Sequence, residues 1–225
     1  MSILRSRAQT SALMLCCALI AWTVGSDLAG RGPSPADAVT WEAIEPVAMS
    51  IGDDALLGTA TAHVALIEFA DFECPFCSAF AQDVLPVLKR DYIDTGRVSF
   101  VFRHLPLSSH KYALRAAMLA ECGRQQGTFW DVYSALFSRR GFLDESALSA
   151  MDASIRSAGD RCDATRASRA VDVDIQLARR LGISDAPTFV VGKLDGGTVR
   201  AAARLVGMAE VGEFAREFEQ LLKQK

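Results

Sequence analysis

The first apolar positions of the chain form an unbroken run, Ala12–Val24 (ALMLCCALIAWTV), with Arg5 and Arg7 ahead of it. A short uncharged run behind a positive start has the form of an export signal, and it is shorter than the roughly 20 apolar residues of a membrane span. Val24-Gly25-Ser26 places small residues suitably for a cut after Ser26. Ala36-Asp37-Ala38 fits the small-residue rule better but lies far from the run, and an uncleaved anchor is the alternative. Cys16 lacks the small residues of a lipoprotein site, since Met14-Leu15 precede it. Asp27–Pro46 is rich in Gly, Pro, Ala and acids, has neither a helical nor a strand period, and reads as a linker.

From Val47 the pattern becomes that of a folded domain. Ala65–Ala70 (ALIEFA) is a short apolar run with one acid, as a buried central strand makes. From Pro75 to Asp94, Phe76, Phe80, Val84, Leu85, Leu88 and Tyr92 recur at threes and fours, which predicts a helix stopped by Gly96 and kinked at Pro86. Val98–Arg103 (VSFVFR) is a second strand. Helical spacing then runs from His110 to Leu181 in four pieces. These are Tyr112–Glu121 ending at Gly123, a helix opened by a capping box Thr128–Asp131 and running to Phe137, Glu145–Ser157 capped by Asp144, and a long helix from Asp163 to Leu181 with Gly182 past its end. Strands return at Thr188–Val191 and Thr198–Val206 around a turn at Asp195-Gly196-Gly197, and an amphipathic helix from about Ala209 to Leu222 closes the chain. The order is β-α-β, a helical block, then β-β-α. It predicts an α/β fold with a central sheet covered on both faces and a helical insertion at about 105–182.

Length and composition add little: 225 residues, half of them hydrophobic and 23% charged, suit one domain of good size. Charge and cysteine content change more. Loss of residues 1–26 removes two arginines and no acid, so the net charge moves from −3 to −5. A mildly acidic chain without a basic run is a poor nucleic-acid binder. Export would leave Cys74, Cys77, Cys122 and Cys162 in a compartment where disulfides persist.

Cys74 and Cys77 are separated only by Pro75 and Phe76. Metal, structural staple and redox pair are the three readings. A structural zinc site takes four ligands, but the chain has no second C-x-x-C and only His63, His104 and His110, so no metal is expected. A staple across so short a ring closes too little chain to stabilise much. The redox reading has a physical basis. Cys74 opens a helix, where unpaired N–H groups and the helix dipole favour thiolate over thiol. Pro75 suits the first turn, where its missing N–H costs nothing. Cys77, one turn further in, is shielded. An exposed nucleophile and a withheld resolving thiol are the expected pair. Asp71 and Glu73 read as solvated loop charges, and His104 and His110 as structural or surface residues.

The chain resembles the DsbA-like thiol:disulfide oxidoreductases of the thioredoxin-fold superfamily over Val47–Leu222. The resemblance rests on ALIEF running into DFECPFC, FRHLPL at Phe102–Leu107, GTFWDVYSALF at Gly127–Phe137, DAPTFVVG at Asp185–Gly192 and RLVG at Arg204–Gly207. It implies a thioredoxin-like fold whose helical insertion lies between the second central strand and the cis-proline strand, with Cys74 attacking and Cys77 resolving. Pro187 matches the family's cis-proline, which pairs with substrate backbone. Ala186 before it stands where many relatives have Thr or Val, and Pro75, Phe76 and Ala186 are the implied substrate contacts. Glu68 matches a buried acid beneath the active site that accepts the proton of the resolving thiol. Phe76 stands where the strongest oxidants carry His, so a less acidic Cys74, a less oxidising pair and a wider apolar rim are expected.

Cys122 and Cys162 bound two inserted helices and are expected to form a disulfide that braces the block. The function expected is introduction of disulfides into reduced or misoxidised secreted proteins. A membrane partner would reoxidise the pair, and neither a further cofactor nor nucleic acid is involved. A linker too short for a dimerisation domain favours a monomer. A periplasmic reductase or isomerase is the rival within the chemistry; a non-catalytic holdase for unfolded chains is the rival outside it.

Overall fold

The computed structural model describes residues 40–52, 54–157 and 162–224. The export signal, the cleavage sites, Cys16 and the first part of the linker lie outside the described residues. Among those described, seven strands form one sheet in the order β1-β7-β6-β4-β5-β3, with β2 also paired to β7. They are β1 (Glu42–Ala43), β2 (Ala48–Ser50), β3 (Ala55–Leu57), β4 (Val64–Ala70), β5 (Val98–His104), β6 (Thr188–Asp195) and β7 (Thr198–Val206). β4 runs parallel to β5 and antiparallel to β6. Every residue of β4 and β5 is buried, as a sheet covered on both faces requires.

Residues 40–46 correct the linker reading. Glu42 and Ala43 pair with Arg204 and Ala203, the Ile44 amide donates to the Ala202 carbonyl, and Trp41 packs edge-on against Phe214 at 5.7 Å. A two-residue strand carries no readable period; β7 supplies its partner.

The helical segment over residues 75–93, α1, is continuous but uneven. It is α-helical over Pro75–Ala79 and Leu85–Leu88, with wider turns over Phe80–Val84 and Lys89–Ile93. The expected disturbance at Pro86 takes this form: the wide turn just before it gives the proline ring room where the i−4 carbonyl would clash.

Between β5 and β6 come α2 (Ala113–Gln125), α3 (Phe129–Phe137), α4 (Glu145–Ser157) and α5 (Ala164–Arg180); α6 (Val211–Lys223) follows β7. Asp144 and Asp163 cap α4 and α5 through their carboxylates. Two expectations fail here. Gly123 does not end α2 but lies inside it, where a Cβ would fall 2.6 Å from Val132 Cγ2. Close packing of α2 on α3 explains the glycine. Thr128 also makes no side-chain cap for α3; its hydroxyl donates to the Gly123 carbonyl instead. Cys122 and Cys162 are joined in a disulfide with their Cα atoms 5.0 Å apart, tying α2 to the start of α5.

Alternation along the central strands sorts the core onto the two faces. Val64, Leu66, Phe100, Phe102, Phe189 and Leu205 pack with α1, α2, α3 and α6, while Ala65, Ile67, Phe69, Val101 and Val190 face Ala178 of α5 and Ile183. Glu68, in phase with Leu66, is carried into the first of these layers.

Candidate active site

β4 ends at Ala70, and a tight turn delivers Cys74 to the N-cap of α1. The turn is held by Asp71, only 1% exposed, whose carboxylate accepts from the Glu73 and Leu107 amides and lies 2.8 Å from His110 Nδ1. Glu73 in turn accepts from the Tyr112 amide. Asp71 and Glu73 are therefore structural acceptors, not the solvated loop charges expected. Apart from the Glu73 amide two residues along, their partners lie 36 to 39 residues on, beyond the reach of local pattern.

Cys74 and Cys77 are both free thiols. Hydrogen bonding from the neighbouring Cys77 thiol lowers the pKa of Cys74; burial opposes this, while the Cys77 and Phe76 amides add to it, and the result is about 6. The helix N-terminus thus acts through named donors. Cys77 moves the other way: burial, its bond to Cys74 and the charge of Glu68 push its thiol well above 9. The two sulfurs are thus shifted in opposite directions, Cys74 towards greater acidity and Cys77 towards less.

Accessibility departs from expectation. Cys74 is only 4% exposed, its thiol donating to the Ala186 carbonyl at 3.3 Å, and Cys77 is fully buried. Phe76, at 64% exposure, is the part of the motif that meets solvent. The Ala186–Pro187 bond is cis. A second segment flanks the motif. A Cβ on Gly141 would lie 2.7 Å from the Glu73 carbonyl oxygen and 3.4 Å from Pro75 Cγ, and the next residue, Phe142, is 84% exposed. The loop between α3 and α4 therefore lies against the motif turn, which the sequence reading missed; RRGF at Arg139–Phe142 was its only signal.

Glu68 lies within the aromatic layer. Its partners across the ladder are Phe102 and Phe189, neither carboxyl oxygen has a hydrogen-bond partner among the described residues, and burial and the Cys74 charge raise its pKa well above 4.5. His104 is buried against Glu121 at 3.1 Å, while His110 joins the motif turn through Asp71. Among the described residues, no group of three or more His, Cys, Asp or Glu side chains is arranged to hold a metal.

The family described as thioredoxin matches residues 50–202, more than half of the chain. The chain belongs to the thioredoxin family. Within it the fold is the DsbA-like form: the solved structure of Wolbachia pipientis alpha-DsbA1 is 27% identical, with TM-score 0.62, covering 76% of this chain and 92% of that one. Disulfide bond formation protein D of Bacillus subtilis is 28% identical over 153 residues, 63% of this chain and 69% of its own length. Na(+)/H(+) antiporter NhaA 3 of Salinispora tropica is 31% identical over 143 residues, 61% of this chain. The thioredoxin-family chain described here spans only 21% of that antiporter's length.

Proposed function

We propose that this protein is an exported thiol:disulfide oxidoreductase that introduces disulfides into secreted proteins. The observation carrying this reading is the placement of the pair: Cys74 sits at the N-cap of α1 with its sulfur 3.3 Å from the Ala186 carbonyl beside cis-Pro187, and Cys77 is fully buried one turn behind it. In the oxidised state a substrate thiolate attacks Cys74 Sγ and Cys77 leaves. A second substrate thiol then takes the bond, and both enzyme cysteines end reduced. Pro187 and Ala186, beside Cys74, offer backbone to an extended substrate, and Pro75 and Phe76 offer it an apolar surface. Glu68 exchanges a proton with Cys77. The Cys122–Cys162 bridge braces the helical block. The signal-like N-terminus supports an extracytoplasmic site, where a membrane partner resets the pair of a monomeric enzyme. The names of the B. subtilis and W. pipientis relatives agree with this chemistry.

Cys74→Ser tests it. The variant should lose all oxidation of a reduced model substrate while keeping its melting temperature, and retained oxidation would exclude Cys74 as the nucleophile.

A further inference from the structure

A cleft of about 550 Å³ is lined by the segment from β2 to β3, by α5, and by parts of β5 and α2; among the described residues, none of the C-P-F-C motif or the cis-proline turn borders it. Five arginines and three carboxylates line it, in a chain whose net charge is −3. Two of the arginines are matched: Arg103 donates to Asp54 and Asp174, and Arg124 to Glu121 at 2.7 Å. Arg166, Arg169 and Arg180 of α5 differ, because their guanidinium groups make no hydrogen bond or ion pair among the described residues. Local sequence does not supply the missing partners. Arg166 has no acid three or four residues after it, and Asp163 before it is committed to the Thr165 and Arg166 amides. Asp172, three residues after Arg169, makes no ion pair with it among the described residues. Arg166 and Arg169 are instead neighbours at i,i+3, a like-charge pair that disfavours the helix. A third arginine is brought to them from α2. Gln125 exchanges hydrogen bonds of 3.1 and 2.9 Å with the Asp163 backbone, and the Cys122–Cys162 bridge holds its Cα atoms 5.0 Å apart. The end of α2 that carries Arg124 is therefore pinned to the start of α5 that carries Arg166 and Arg169.

We propose that this end of the cleft binds a small polyvalent oxyanion, held by Arg124, Arg166 and Arg169. Guanidinium forks match the oxygens of phosphates and carboxylates two at a time, and arginine sheds its water more readily than lysine. An oxyanion bridging α2 and α5 would relieve the like-charge contact on α5 and give Arg166 and Arg169 the partners that the fold leaves out. More than one negative charge is needed, because Glu121, already shared by Arg124 and His104, opposes a single one. The volume suits a small molecule. Phosphorylated and polycarboxylic compounds share the required chemistry. Arg180 takes no part, since it lies 14 positions beyond Arg166, about 21 Å along the helix axis. The site is independent of disulfide exchange at Cys74.

The experiment is calorimetric titration of the oxidised protein with pyrophosphate and, separately, with citrate, with melting temperatures recorded alongside. Ionic strength is held constant with sodium chloride, and acetate serves as the monovalent control. At least one of the two polyvalent anions should bind saturably and raise the melting temperature, while acetate does neither. The double variant Arg166→Gln/Arg169→Gln should bind about tenfold more weakly or worse, the scale of lost hydrogen bonds to a charged group. Arg180→Gln, more than a Debye length from the site, should stay within about twofold of wild type. Without ligand both variants should melt as wild type does and oxidise a reduced substrate at its rate, since these guanidinium groups have no partner to lose. Saturation by pyrophosphate alone would assign the site to phosphorylated compounds, and saturation by citrate alone to polycarboxylic ones. Saturation by both would support the polyvalent oxyanion class as a whole. The proposal is overturned if neither anion gives a saturable heat or a rise in melting temperature beyond sodium chloride. Undiminished binding in the double variant would overturn it too, as would an equal weakening in Arg180→Gln, which would mark general screening of the cleft.

Discussion

Two buried charged sites, one on each face of the sheet, are built in opposite ways. On the α1 face, Glu68 sits between Phe102 and Phe189 with no cation beside it. On the α5 face, one residue along β5, Arg103 is 3% exposed and donates to the Ser50 carbonyl, Asp54 and Asp174. Asp174 also accepts from the His104 amide. Burial still pushes Asp54 up to about 7 despite Arg103, and raises Asp174 too. The difference teaches what each site is for. Arg103 is a closed ionic junction between β2, α5 and the loop before β3, and its charges are matched because they only have to stay put. Glu68 is left unmatched, which suits a group that gains and loses a proton beside a reactive sulfur.

The sharpest way to break the comparison is Arg103→Ala. It would strand two buried carboxylates, at a cost of about 3–5 kcal/mol in urea unfolding at neutral pH. The loss should shrink towards pH 5 as Asp54 and Asp174 take up protons. Glu68→Leu should do the reverse and stabilise the oxidised protein by about 1–3 kcal/mol at pH 8, because an unpaired polar group is replaced by an apolar one. The sign follows from its raised pKa: stability from Glu68 is complete below 4.5 and declines as pH climbs through the folded value. The gain should therefore be smaller at pH 5. A destabilised Glu68→Leu would mean that the carboxyl is paired after all. The smallest effect is electrochemical. Equilibration with glutathione should give a potential nearer about −120 than about −270 mV. Its slope should change from about 60 to about 30 mV per pH unit as pH rises past about 6, where Cys74 becomes a thiolate.

Much of the frame was legible because its elements are long or fully apolar. β4, β5 and the amphipathic α6 announce themselves by period, and α5 by its Asp163 cap and length. The helix start at Pro75 and the asymmetry of the two cysteines follow from the physics of a helix N-terminus. What escaped depends on distant partners. β1 exists only because β7 offers an edge, and Gly123 looks like a stop until Val132 of α3 is seen against it. Asp71 resembles any loop acid until residues 107 and 110 fold back onto it, and Cys74 is covered by a carbonyl 112 positions away.

The contact at Gly141 bears on how this motif could be moved between proteins. Gly141 has φ +83°, and its missing side chain leaves room for the Glu73 carbonyl, so the helical block rests directly on the turn that presents Cys74. The transplantable unit is therefore larger than C-P-F-C. A graft that takes the four residues but not the loop behind them would lose its backstop, and an exchange of helical blocks between relatives would reset the pitch of the cysteine turn without altering a letter of it.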